Sequence, residues 1–72
     1  MLESIEINSV FITLGQFLKL IGVIDTGGQA KVFLHEHDVW VNSDKESRRG
    51  RKLYRDDKIR IDQLGEYQIV AQ

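Results

Sequence analysis

Two copies of one short signal stand close together in this chain: Thr13-Leu14-Gly15-Gln16 and Thr26-Gly27-Gly28-Gln29. Each reads as a capping box. The Thr hydroxyl accepts from the backbone N–H three residues on, and the Gln side chain accepts from the N–H of the cap itself. Helix starts this near to each other leave room for only a short first helix. After the first box, Leu14, Phe17, Leu18 and Ile21 form one apolar stripe, and Gly22 supplies a left-handed stop. The spacing predicts a helix over 14–21. After the second box, Ala30, Phe33 and Leu34 make the next stripe and predict a helix over 27–36. About five residues join the two, a short helix-turn-helix arrangement.

The period changes to two on either side of this pair. Residues 4–12 alternate with a break at Asn8-Ser9, which predicts a strand with a bulge, or a strand and an extended lead-in. Beyond His37, Val39 and Val41 point one way and Trp40 the other. Asn42-Ser43-Asp44 is turn chemistry. Ile59 and Ile61 alternate with polar neighbours, Gln63 to Glu66 turn the chain, and Tyr67, Ile69 and Ala71 form a last strand. The fold class is therefore α+β: two short helices packed on a small, mainly antiparallel sheet. The expected core is Leu14, Phe17, Leu18, Ile21, Ala30, Phe33, Leu34, Val39, Val41, Ile59, Ile61 and Ile69, with Trp40 also read as core packing. At 72 residues the chain is expected to be one domain. It has no cysteine, no apolar run of membrane-spanning length and no basic leader at its start. A cytoplasmic protein without disulfides is the expectation.

Charge is distributed unevenly. The formal net charge is −1, yet seven of the ten Lys and Arg residues fall within 48–60, against Asp56 and Asp57 alone. That is a local +5 on a remainder of −6. Arg48-Arg49-Gly50-Arg51-Lys52 is the densest part, and Arg55 extends it. The run is expected to be an irregular loop that meets a polyanion, since the Arg fork bonds two phosphate oxygens at once. The plainer reading is a solvated loop paired with Asp44, Glu46, Asp56 and Asp57.

A second candidate lies at the start of the second helix. Thr26, Gly27 and Gly28 offer backbone N–H groups at the positive end of a helix with no bulky side chains in the way. Lys31 adds a charge one turn in, and His35 shares its face. His35 and His37 are too close in sequence to share a helix face, and no third clustered ligand accompanies them, so no metal or other cofactor is expected. Trp40 and Tyr54 flank the basic run, where aromatic rings can stack on unpaired bases. No nucleophile with a base, no catalytic carboxylate pair and no complete P-loop is present, so a non-enzyme is expected.

The stretches LGQFLKLIGVI, TGGQAKVFL, VWVN and DDKIRI together resemble the S4-type RNA-binding domain over 13–62. With VNSDKESRRGRKLY the chain is similar to the small stand-alone S4 proteins of the YaaA type in bacteria. The resemblance implies an αL motif, two helices and a β-turn-β element gripping structured RNA, and a role in ribosome assembly. It also implies that Thr26-Gly27 stands where the family has Ser-Arg, and that Lys31 follows the helix alanine as the family's Arg or Lys does. Val39 to Asn42 is the family's V-x-V-N strand. The chain departs at Thr13, where Arg is frequent, and at His37 and Ser43, where Gly is frequent.

The expected function is binding of structured ribosomal RNA or ribosomal particles by a monomer, with no membrane and no small-molecule substrate. Phosphate contacts are expected from Thr26, Gly27, Gly28, Lys31, His35, Arg48, Arg49, Arg51, Lys52 and Arg55. The alternative is a protein-interaction module that docks an acidic partner through the basic loop. Duplex DNA is disfavoured, since the second helix offers only Gln29, Lys31 and His35 for reading bases.

Overall fold

A computed structural model describes residues 2–72. Thr13 closes its capping box as expected: its hydroxyl accepts from the Gln16 N–H, and its own N–H donates to the Gln16 side chain. Helix α1 spans Leu14–Leu20 and buries Leu14, Phe17 and Leu18. It stops through a Schellman turn, with Val23 N–H bonded to Leu18 O and Gly22 N–H to Lys19 O. Gly22 takes φ +83°, where a side chain would be strained.

The second box closes only by half. Helix α2 spans Gly28–Glu36 with Gly27 at its cap, and no side chain caps it. The Gln29 side chain does reach back, accepting from the N–H groups of Asp25 (2.6 Å) and Thr26 (3.1 Å). The Thr26 hydroxyl does not return the bond. Gln29 N–H goes instead to the Thr26 carbonyl, because Gly27 is already helical at φ −60° and ψ −30°. Two glycines in a row let the backbone wind early and displace the cap, so the expectation for Thr26 is corrected.

The strands are β1 (Leu2–Ile7), β2 (Phe11–Thr13), β3 (Val39–Val41), β4 (Asp44–Lys45), β5 (Lys52–Tyr54), β6 (Lys58–Ile61) and β7 (Gly65–Ala71). Five of them form one sheet in the order β1-β7-β6-β3-β4, and β2 pairs with β5 as a separate antiparallel ribbon. All pairings are antiparallel except β1 with β7. The break at Asn8-Ser9 thus separates two strands that join different sheets. The basic run is not wholly irregular either: its last part is β5. Between β3 and β4 the chain turns with Asn42 at φ +51° and Ser43 at φ +77°, both left-handed, as a two-residue hairpin requires.

The helices cover one face of the sheet. Val39 and Val41 of β3, Ile59 and Ile61 of β6, and Ile69 of β7 are buried together with Leu14, Phe17, Leu18, Ala30 and Leu34. Phe17 meets Tyr67 edge-on at 5.3 Å. Ile7, Ile24 and Leu53 belong to this core but not to the expected one, whereas Ile21 and Phe33 are only partly buried. Trp40 lies on the opposite face of the sheet, half-buried beneath the Arg60 guanidinium at 4.1 Å, and is not core. Among the described residues no helix is long and apolar enough to cross a membrane.

Candidate nucleic-acid interface

The segment between β4 and β5 is shaped by one carboxylate. Glu46 is the only buried charged residue among those described. Its side chain accepts from the Ser47 and Arg48 N–H groups, from Arg48 Nε (2.9 Å) and Nη2 (3.1 Å), and from Arg51 Nη1 (2.9 Å). Bonds from Arg48, outweighing the cost of burial and joined by Arg51, hold the Glu46 carboxyl at about 2, well below its ordinary value. The same pairing raises the Arg48 guanidinium. Arg48 and Arg51 are thereby fixed on one side of the loop, and their heads are aimed by the acid between them.

The loop backbone is fixed as firmly. Leu14 N–H donates to Arg51 O (2.8 Å) and Gly15 N–H to Arg49 O (2.9 Å), so loop carbonyls occupy the start of α1. Gly15 permits this approach. A Cβ there would lie 3.4 Å from Arg49 O and 3.6 Å from Ala30 Cβ, which places α1, α2 and the loop at one junction. Across that junction Arg49 Nη1 reaches 3.4 Å from Gly27 O. The exposed guanidinium of Arg49 therefore stands beside the start of α2. There, Gln29 N–H and Ala30 N–H bond to Thr26 O and Gly27 O. Among the described residues, the N–H groups of Gly27 and Gly28 have no protein acceptor.

Both ends of the loop are pinned. Asn42 donates from Nδ2 to Asp57 Oδ1 (2.9 Å) and accepts from Lys58 N–H (2.9 Å), while Asp57 Oδ2 accepts from Tyr54 N–H (2.8 Å). These bonds tie the β3–β4 turn to the β5–β6 turn. They account for Asn in VWVN and for Asp57 in DDKIRI by structure alone.

The S4 domain family matches the chain over residues 5–70. The chain belongs to the S4 domain family. A relative in Bacillus subtilis (strain 168), "Probable ribosome maturation protein RlbA", is 53% identical over 70 residues, which is 97% of this chain and 99% of the relative. Among solved structures nothing matches. The small YaaA-type S4 proteins are the branch to which the likeness extends.

In this S4 domain the sequence-predicted residues divide. The Arg48 and Arg51 side chains are held on the loop by Glu46, while Arg49 meets Thr26, Gly27 and Gly28 at the junction of α1, α2 and the loop. Lys31 and His35 are exposed on α2 beyond it. Lys52 lies on the ribbon, its ammonium 4.8 Å above the Phe11 ring. Arg55 is exposed beside Asp56 at 4.0 Å. Lys58 and Arg60, which share the sequence block, alternate with buried Ile59 and Ile61 and so emerge on the open face of the sheet, away from the junction. The +5 block is thus divided between the loop, the ribbon, the β5–β6 turn and the open face of the sheet, and Glu46 lowers the loop group by one charge. His37 stacks on Phe33 at 4.3 Å and caps α2 through its N–H to Phe33 O, a structural position. Among the described residues no three His, Cys, Asp or Glu side chains gather as a metal site would need.

The plainer sequence reading named Glu46 as one of four acids paired with the loop, and the structure bears this out for Arg48 and Arg51, but its burial and its control of the loop's shape were not foreseen. Its signal was present: one acid directly before Ser-Arg-Arg, at the end of a strand hairpin. A charge count alone treats it as background.

Proposed function

We propose that this S4 domain binds structured ribosomal RNA during ribosome maturation, as a non-catalytic monomer. The grip is of the αL kind, with α1 and α2 on one side and the loop before β5 on the other. Arg49 and Arg48 meet phosphates, Gly27 and Gly28 supply backbone donors, and Lys31 extends the positive surface along α2. The observation that carries this reading is the convergence of a pre-shaped arginine loop with a helix start that keeps free N–H groups. The printed name of the RlbA relative supports the ribosomal setting.

Purified chain and ribosomal RNA fragments test the proposal in the absence of other protein. Each phosphate contact adds about 0.7–0.9 to the slope of log affinity against log salt. Arg49→Gln combined with Lys31→Gln should flatten that slope by about 1.5 and weaken different RNAs alike. Arg49 loses only a long, exposed bond to Gly27 O (3.4 Å), so the melting temperature should stay near the parent's. A parent that ignores RNA but captures an acidic protein would replace this reading with the interaction module. In cells, the tagged chain should sediment with ribosomal precursor particles.

A further inference from the structure

The chain has three Phe, two Tyr and one Trp. Four of these rings are accounted for by packing: Phe17 on Tyr67, Phe33 on His37, and Trp40 under Arg60. The remaining two, Phe11 and Tyr54, face each other across the β2–β5 ribbon at 5.8 Å, on the side away from buried Leu53. Lys52 covers the Phe11 ring, but Tyr54 remains 45% exposed. Beside Tyr54 lies a shallow open depression of about 440 Å³, lined by Arg48, Gly50, Arg51, Lys52 and Tyr54. Its lining therefore combines cations with an aromatic residue.

We infer that this depression is a subsite for one unpaired nucleotide, with its base stacked on Tyr54 and its phosphate held by Lys52 and Arg48. The inference rests on the RNA-binding reading and narrows it: the target RNA presents an unstacked base next to a helix. A phosphate alone has no use for the ring, and a paired base cannot offer its face. A nucleotide outside a helix supplies both the π-face and the negative charge that this lining complements. Glu46 holds Arg48 and Arg51 at the edge of the depression before any ligand arrives.

Two RNA hairpins of equal length serve as probes, each closed by a non-nucleotide linker so that no loop base is unpaired, one fully paired and one carrying a single bulged 2-aminopurine. The full-length chain should bind both and quench the bulged fluorophore. Tyr54→Leu, which keeps an apolar side chain against Phe11, should lose about 5- to 150-fold in affinity for the bulged hairpin, as expected for one base–aromatic stack. Its affinity for the paired hairpin and its salt slope should match the parent's. Tyr54→Phe should restore the bulged preference. The subsite is overturned if the parent leaves the fluorophore unquenched while binding both RNAs, a result that does not depend on any variant folding. It is equally overturned if Tyr54→Leu weakens both hairpins alike, or neither. Failure of the parent to bind either hairpin would overturn the RNA-binding reading itself.

Discussion

Replacing Glu46 by Gln separates charge from shape. The substitution makes the loop more positive by one unit, so charge alone would tighten RNA binding. It also removes the anion that draws Arg48 and Arg51 together. Pre-organisation then predicts the opposite, a weaker complex at physiological salt, because the loop must be ordered on binding. The outcome expected is weaker binding by Glu46→Gln, with stability lower by about 2 kcal/mol for the lost charge-assisted bonds. Tighter binding would mean that the loop's shape is incidental. The same group sets an acid limb. Its folded value, about 2, lies below its ordinary 4.5. Its contribution is therefore complete above about pH 4.5 and is lost as pH falls through about 2. Thermal melts from pH 7 to pH 2 should show the parent and Glu46→Gln converging at the acid end.

Among the elements, α1 was legible to within its last residue, Ile21 being the cap rather than a core position, and α2 was legible except at its start. The reason is local chemistry. At α1 the cap, the stripe and the stop are all read from neighbours in sequence. At α2 the glycine pair lets the backbone enter the helix before Thr26 can bond, and only Gln29 keeps its half of the box. This reverses the usual ranking of cap residues. Thr26→Ala should cost only a few tenths of a kcal/mol, whereas Gln29→Ala should cost about 1 kcal/mol by freeing two N–H groups at once. Equal melting temperatures for the two variants would contradict that assignment. Strand β5 was illegible for a different reason. It has three residues with one inward apolar side chain, Leu53, between Lys52 and Tyr54. A single apolar residue among cations carries no period, and only the pairing with β2 reveals it. Leu53 was accordingly absent from the expected core, as were Ile7, at the end of β1, and Ile24, in the connection between the helices, where no period applies.

At the scale of the whole molecule, the gathering of cations was legible but its division was not. Sequence order places Arg49 and Arg60 in one block, while the strand period sends Lys58 and Arg60 to the far side of the sheet. Which face an exposed charge occupies depends on pairing partners that lie far off in the chain. The parallel pair of β1 and β7 is the most distant pairing of all, with Ile5 beside Ile69 and Ile7 beside Ala71. During synthesis β1 therefore has no partner until β7 has emerged. The helices and the arginine loop, all within 13–51, can settle against β3 and β5 earlier, so the junction of α1, α2 and the loop precedes the closure of the sheet. Removing residues 65–72 should then abolish the cooperative melt, because β1 and β6 both lose their shared neighbour, and circular dichroism would record a broad transition. A sharp transition in the shortened chain would show instead that the first strand is an ornament. Closure of the sheet thus waits on β7, and β1, made before the other strands described, becomes the last one placed.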